Sequence, residues 1–276
     1  MMRIADISMR LHPDAEGIYT AAGSSEVSYA THGHEDCFGI EDRSFWFRHR
    51  NRCIASVVRN HPFPGGPFLD IGGGNGYVAQ GLTAEGHEVL LLEPGPIGAR
   101  NARLHRKLEH VACAKVEDAG FVPGSFGAIG MFDVIEHIEH DRAFLHDIAP
   151  LLMPGGRLYL AIPCHQWLWS RADEHAGHFR RYTRRSLHGL LEGLFDIDYL
   201  GYYFAPLVLP QYLLRALPYR LGFGRKGVLS MQAEHGAGEG IAVRAINVLL
   251  DAEARRIAAD RQIRFGASAL VAATLR

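Results

Sequence analysis

The segment Phe68-Leu-Asp-Ile-Gly-Gly-Gly-Asn-Gly76 constrains this chain more than any other. A short apolar run enters a glycine turn, and residues able to form a helix follow from Tyr77. Glycines at such a turn admit positive φ and let a ligand approach the backbone closely. The helix start beyond them offers unpaired N–H groups. Asp70 stands inside the strand end, and Glu93 closes the next apolar run, 17 residues beyond Gly76. A carboxylate in that second place can accept both hydroxyls of a ribose. The turn predicts an α/β fold with a nucleoside at the edge of its sheet.

The chain beyond it keeps that rhythm. Short apolar runs at 68–71, 89–92, 111–116, 128–132 and 157–162 alternate with helical stretches at 77–85, 98–106 and 133–152. This is the pattern of a parallel sheet covered on both faces. After Pro163 the rhythm changes: a helix is predicted over 184–194, a strand over 195–203, and an apolar, proline-punctuated segment over 204–224. A loop over 225–240, an amphipathic helix over 241–260 and a last strand over 267–274 complete the chain. Strands without an intervening helix predict an antiparallel finish. Residues 1–43 read as a mobile N-terminal arm and 44–276 as one domain, with insertions at about 164–183 and 204–240. A helix carrying aromatic and basic residues opens that domain and stops at Pro62-Phe-Pro-Gly-Gly-Pro67.

Composition narrows the partners. Of 276 residues, 47% are hydrophobic, enough for one substantial core. The 29 basic and 30 acidic residues nearly cancel, against nucleic acid as the main partner. Cys37, Cys53, Cys113 and Cys164 form no CxxC pair, so neither a zinc knuckle nor a disulfide framework is expected, and free thiols suit a reducing cytosol. The first 17 residues hold no long apolar run, so no secretory leader is expected. The uncharged stretch from Tyr199 to Leu214 is broken by Pro206 and Pro210 and falls short of the roughly 20 residues of a membrane span. A cytoplasmic protein without a transmembrane segment is expected.

Two ligands compete for the glycine turn. Gly74-Asn-Gly-Tyr-Val-Ala79 also fits the pattern that binds NAD. Asp70 separates them: a pyrophosphate there would be repelled, whereas an ammonium group would be welcome. S-adenosylmethionine (SAM) carries that ammonium and no phosphate.

Four motifs together resemble the class I SAM-dependent methyltransferases over about residues 40 to 276. They are Leu69-Asp-Ile-Gly-Gly-Gly-Asn-Gly76, Leu92-Glu-Pro94, Met131-Phe-Asp-Val-Ile-Glu-His-Ile138, and Leu152-Met-Pro-Gly-Gly-Arg-Leu158 with Ile162-Pro163. The third is similar to the branch that includes the quinone-ring methylases. The resemblance implies a Rossmann-like sheet of seven strands in order 3-2-1-4-5-7-6, strand seven antiparallel. It also implies that Asp70, Gly72 and Gly74 hold the methionine end of SAM, that Glu93 holds the ribose, and that Pro94 flanks the adenine. Asp118 and Ala119, in Val116-Glu-Asp-Ala119, would meet the adenine edge, and Phe132 would touch SAM where the fourth strand ends. Many relatives have Cys where Gly73 stands, and the smaller residue is expected to leave binding intact.

The acceptor side is less determined. Methyl transfer is in-line displacement, and a base is needed only where the acceptor is protonated. Asp133, Glu136 and His137 have the i, i+3, i+4 spacing of one helical face. His137 could act as base, or the three could hold a divalent metal, although none is expected. Trp167-Leu-Trp169 and Asp173-Glu-His-Ala-Gly-His-Phe-Arg-Arg-Tyr182 follow the fifth strand, where such enzymes place substrate-binding insertions. His178 and Tyr182 are candidates for proton handling, with Arg180 and Arg181 for an acidic group on the acceptor. The duller account of these arginines is a surface loop fastened to acidic neighbours. Phe45, Trp46, Phe47 and Arg48 could form a lid over substrate, or simply pack on the sheet edge. Tyr19, His32 and His34 lie in the expected arm. The segment 202–219 could be a pocket wall, a membrane patch or a homodimer contact. A small molecule is the expected acceptor, with oxygen ahead of nitrogen or carbon. A non-catalytic SAM-binding subunit and an NAD-dependent oxidoreductase are the rival readings.

Overall fold

A computed structural model describes residues 2–21, 38–223 and 241–276. His32, His34, Cys37 and the expected loop at 225–240 lie outside the described residues. The strands are β1 (Leu11–Pro13), β2 (Tyr19–Ala21), β3 (Phe68–Ile71), β4 (Val89–Leu92), β5 (His110–Cys113), β6 (Phe126–Phe132), β7 (Leu152–Pro163), β8 (Phe195–Tyr203) and β9 (Ser268–Leu275). They form one sheet in the order β1-β2-β5-β4-β3-β6-β7-β9-β8. From β5 to β8 this is the expected seven-strand order, and β9 runs antiparallel to both its neighbours.

The glycine turn lies at the centre of that order. β3 pairs in parallel with β4 on one side and β6 on the other, and all four of its residues are buried. Alternate side chains serve opposite faces: Leu69, Leu90 and Ile129 join one core, Phe68, Leu91 and Ala128 the other. A strand covered on both sides must be apolar throughout, so Asp70 is an exception that packing alone does not explain.

Two expectations need correction. Residues 2–21 are not an irregular arm: they add strands β1 and β2 to the sheet. Tyr19 and Thr20 pair in parallel with Ala112 and Cys113, while Met2, Ile4, Ile7, Leu11 and Ile18 are buried. Strands of three residues are too short to display a period of two, and the partner β5 lies far along the chain. The long helix over 133–152 is also broken. Asp133 adopts φ +58°, a 3-10 turn follows at Ile135–His137, and the helix proper is Asp141–Ile148. The left-handed residue takes Asp133 off the helical face on which Glu136 and His137 were expected to join it.

Other boundaries move little. The opening helix is Phe45–Asn60, capped by Ser44 Oγ accepting from Trp46 N at 3.1 Å. The 204–224 segment forms short helical turns between Ala205 and Arg220. Among the described residues no helix is long and apolar enough to cross a membrane.

Candidate active site

The carboxyl ends of β3 and β4 build the first half of the site. Gly72 has φ +67°, and a Cβ there would stand 2.8 Å from Val134. At Gly73 a Cβ would meet Leu91 at 2.7 Å and Asp70 Oδ2 at 2.8 Å. The turn is therefore packed for glycine at 73, more tightly than the comparison with cysteine-bearing relatives implied. Asp70 is 1% exposed, and neither of its carboxylate oxygens has a hydrogen-bond partner. Burial pushes its carboxyl up to about 7, opposed by the Arg50 guanidinium and assisted by Glu93. An unpaired buried carboxylate is costly. At a strand end beside a glycine turn, it fits a cationic ligand group.

Glu93 is equally buried but engaged. Its Oε2 accepts from Gly74 N at 2.9 Å and its Oε1 from Gly95 N at 2.6 Å. Burial lifts this carboxyl to about 7, and the two N–H groups pull it back. A carboxylate has acceptor capacity beyond two bonds, of the kind a ribose hydroxyl uses. The Pro94 carbonyl faces Cys113 Sγ at 3.8 Å. Past β5, Val116–Ala119 makes a single helical turn in which Ala119 is buried and Asp118 Oδ2 is buried without a partner. Phe132 ends β6, stacked on Phe68 with 6.5 Å between ring centres. Asp70, Glu93, Pro94, Asp118, Ala119 and Phe132 thus line the ends of β3 to β6.

The second half begins with Arg50, which sequence reasoning missed. Its Nε donates to Asp133 Oδ2 at 2.6 Å and its Nη2 to the Phe132 carbonyl at 2.7 Å. Its guanidinium lies 5.5 Å from the centre of the Trp46 ring, an i, i+4 pair legible in the sequence. Trp46 in turn stacks on Phe204 at 5.3 Å. Phe204 has φ +59°, and its N–H donates to Glu253 Oε2 at 2.7 Å. Phe45, by contrast, is buried in the core. Of the expected lid residues, Trp46 is set beside Phe204 while Phe45 packs inward.

The insertion after β7 carries a second cluster. Glu136 is fully buried, and neither of its oxygens is hydrogen-bonded. Burial and the nearby Asp133 hold its carboxyl well above the usual range. The His137 and His178 rings meet edge to face at 4.7 Å. Burial and the second imidazole push His137 down to about 4. His178 Nδ1 donates to Asp173 Oδ1 at 2.9 Å. Burial pushes Asp173 up, but hydrogen bonds from His178 and Arg181 outweigh it and hold the carboxyl near 2.

The other candidates are occupied elsewhere. Tyr182 donates its hydroxyl to Asp141 Oδ2 at 2.8 Å, and burial raises its pKa. Arg180 Nη1 donates to Asp141 at 2.9 Å and Nη2 to the Glu139 carbonyl at 2.5 Å. Arg181 forks onto Asp173 at 2.7 and 3.1 Å. These three fasten the insertion to Asp141, Asp173 and the Glu139 carbonyl. Trp167 packs edge-on to Tyr212 at 5.6 Å. In the 202–219 segment Tyr202 and Tyr203 are buried, whereas Leu209, Leu213 and Leu214 are exposed.

An open α/β sheet with buried acidic residues at the carboxyl ends of two adjacent central strands defines a protein of the doubly wound class. The family model described as Methyltransferase domain matches residues 43–194, and the chain belongs to that family. It is 34% identical over 110 residues to the ubiquinone biosynthesis O-methyltransferase of Xanthomonas campestris pv. campestris (strain B100), a match covering 38% of this chain and 46% of that protein. The mitochondrial ubiquinone biosynthesis O-methyltransferase of Schizosaccharomyces pombe is 29% identical over 105 residues, covering 36% and 38%. The chain thus spans less than half the length of these curated relatives. Among solved structures, Haemonchus contortus phosphoethanolamine N-methyltransferase 2 in complex with S-adenosyl-L-methionine superposes with a TM-score of 0.50 at 18% identity, covering 81% of this chain and 52% of that one. Streptomyces coelicolor geranyl diphosphate C-methyltransferase gives 0.50 at 16% identity, covering 80% and 74%. Both likenesses concern the fold.

Proposed function

We propose that this protein transfers the methyl group of SAM to a hydroxyl oxygen of a small molecule. The observation that carries the reading is Asp70: buried, unpartnered and set beside the glycine turn, it awaits the ammonium of the cofactor. Glu93 takes the ribose hydroxyls, Gly72 and Gly74 let the methionine end approach the backbone, Pro94, Asp118 and Ala119 border the adenine, and Phe132 packs against the cofactor. A pyrophosphate in the same place would face two buried carboxylates, which weighs against NAD.

Transfer then follows from alignment. The acceptor oxygen attacks the methyl carbon, the sulfur–carbon bond breaks with its electron pair staying on sulfur, and S-adenosylhomocysteine departs. The hydroxyl proton must leave, and Glu136, His137 and His178 are the groups of the acceptor side available for it. Trp46 and Phe204 supply an aromatic wall that excludes water. The O-methyltransferase names of the relatives favour oxygen as the acceptor atom.

Calorimetric titration with S-adenosylhomocysteine, beside NADH, tests the cofactor. Saturable binding of the first alone is expected, followed by turnover of labelled SAM on a panel of phenols and alcohols. Binding of NADH alone would replace the reading with an oxidoreductase. Binding of S-adenosylhomocysteine without product across the panel would favour a non-catalytic subunit.

A further inference from the structure

Glu136 sits in the 3-10 turn Ile135–His137, fully buried, with both carboxylate oxygens unpartnered. Such a group costs stability unless something completes it. Two imidazoles share its space. His178 Nε2 lies 4.0 Å from Glu136 Oε1, and one donor atom from each of Glu136, His137 and His178 lies within 4.8 Å of the others. The far side of the second ring is tied, His178 Nδ1 to the Asp173 carboxylate. The Asp173 carboxylate accepts there, so in a neutral His178 ring Nδ1 carries the proton and Nε2 presents a lone pair. Outer partners of this kind fix the tautomer and aim the ring in metal sites.

We propose that Glu136, His137 and His178 form a three-ligand site for a divalent cation of the zinc type. Asp133, expected from the sequence to accompany Glu136 and His137, is not a member because Arg50 holds its carboxylate. Two imidazoles with one carboxylate suit Zn²⁺, whereas Mg²⁺ takes oxygen donors. Donors in a tetrahedral zinc shell stand roughly 3.3 Å apart, so the side chains need to close by about 1.5 Å at most. Glu136 and His137 come from the turn after β6 and His178 from the insertion after β7. The ion therefore pins the insertion to the sheet, where Phe179 N already donates to the Glu136 carbonyl at 2.8 Å. Three protein ligands leave a fourth position for an acceptor oxygen; only this last point rests on the methyl-transfer reading. With the ion bound, the two imidazoles would hold it and the metal would lower the acceptor hydroxyl's pKa; without it they remain the groups available for the proton.

The test uses the full chain, stripped with EDTA and then titrated with Zn²⁺ or Mg²⁺. Metal content is measured after gel filtration, thermal midpoint by scanning, and S-adenosylhomocysteine binding by calorimetry on the same samples. One Zn²⁺ per chain is expected, with a higher midpoint that Mg²⁺ does not reproduce. Glu136→Gln and His178→Ala should each weaken Zn²⁺ binding about tenfold or more while leaving S-adenosylhomocysteine affinity near that of the parent. Equal zinc uptake by parent and variants, or none by the parent, overturns the site. If Glu136→Gln does not fold, His137→Asn gives the same comparison. Zinc refused while S-adenosylhomocysteine binds sinks the metal site alone; the reverse pattern sinks the methyl-transfer reading alone.

Discussion

The two halves of the site are built by different means. On the cofactor side the contacts are local: Glu93 is held by N–H groups of Gly74 and Gly95, at the ends of adjacent strands. On the acceptor side they are remote: Arg50 reaches Asp133, 83 residues away, and His49 Nε2 lies 2.7 Å from Glu253, 204 residues away. The first half follows once the parallel sheet forms. The second exists only when the Phe45–Asn60 helix, the β6 turn and the Ile241–Ala258 helix are all docked. Damage on the acceptor side should therefore appear as lost stability, and damage on the cofactor side as lost affinity.

The largest effect should come from Arg50→Ala. It strands Asp133 and the Phe132 carbonyl, and breaking a buried ion pair typically costs about 3–5 kcal/mol. Urea unfolding should register that loss; an unchanged midpoint would mean that Arg50 does not hold the two halves together. Asp70→Ala comes next. Removing the ammonium partner should weaken S-adenosylhomocysteine about 100-fold, the cost of a strong charge-assisted contact, with the fold retained by circular dichroism.

Proton linkage sharpens the same contrast. Asp70 titrates near 7 in the folded chain, above the value of about 3.9 it has when unfolded. As pH rises through that window the unfolded chain releases its proton first, so the empty protein loses stability between about pH 4 and pH 7. A bound ammonium needs the ionised form. The stabilisation by S-adenosylhomocysteine should thus be greater at about pH 8 than at about pH 6, and Asp70→Asn should reduce the difference. A ligand-induced shift equal at both pH values would contradict the pairing.

The smallest effects separate fastening from chemistry. Tyr182→Phe removes one buried hydroxyl contact with Asp141 and should cost about 1 kcal/mol, with turnover kept. Arg180→Ala should change stability by less than about 1 kcal/mol, as partly exposed pairs do. Loss of turnover in folded Tyr182→Phe would return that hydroxyl to the chemistry.

Much of this was legible in the residues. The alternation from Phe68 onward gave the parallel core, and the apolar run to Tyr203 gave the strand Phe195–Tyr203. The antiparallel finish was expected for another reason than the one the structure shows, since the Ile241–Ala258 helix does lie between that strand and Ser268–Leu275. Asp70 and Glu93 stood out because a charge at the end of an apolar run is locally visible. β1 and β2 were not legible, since three-residue strands show no period. Arg50 showed only its i, i+4 relation to Trp46. His178 stood out as a candidate for proton handling, but its pairing with Asp173 did not, because the turn of the insertion sets it.

The sequence by itself determined the alternating parallel core, the glycine turn and the two carboxylates at strand ends, because period, turn chemistry and strand ends are properties of neighbouring residues; the order of the central seven strands came only with the family resemblance. Tertiary structure alone decided that Asp133 turns left-handed toward Arg50, that Glu136 is left without a partner between two imidazoles, and that residues 2–21 extend the sheet. Each depends on groups far apart in the chain, and burial and pairing become defined only when the elements pack.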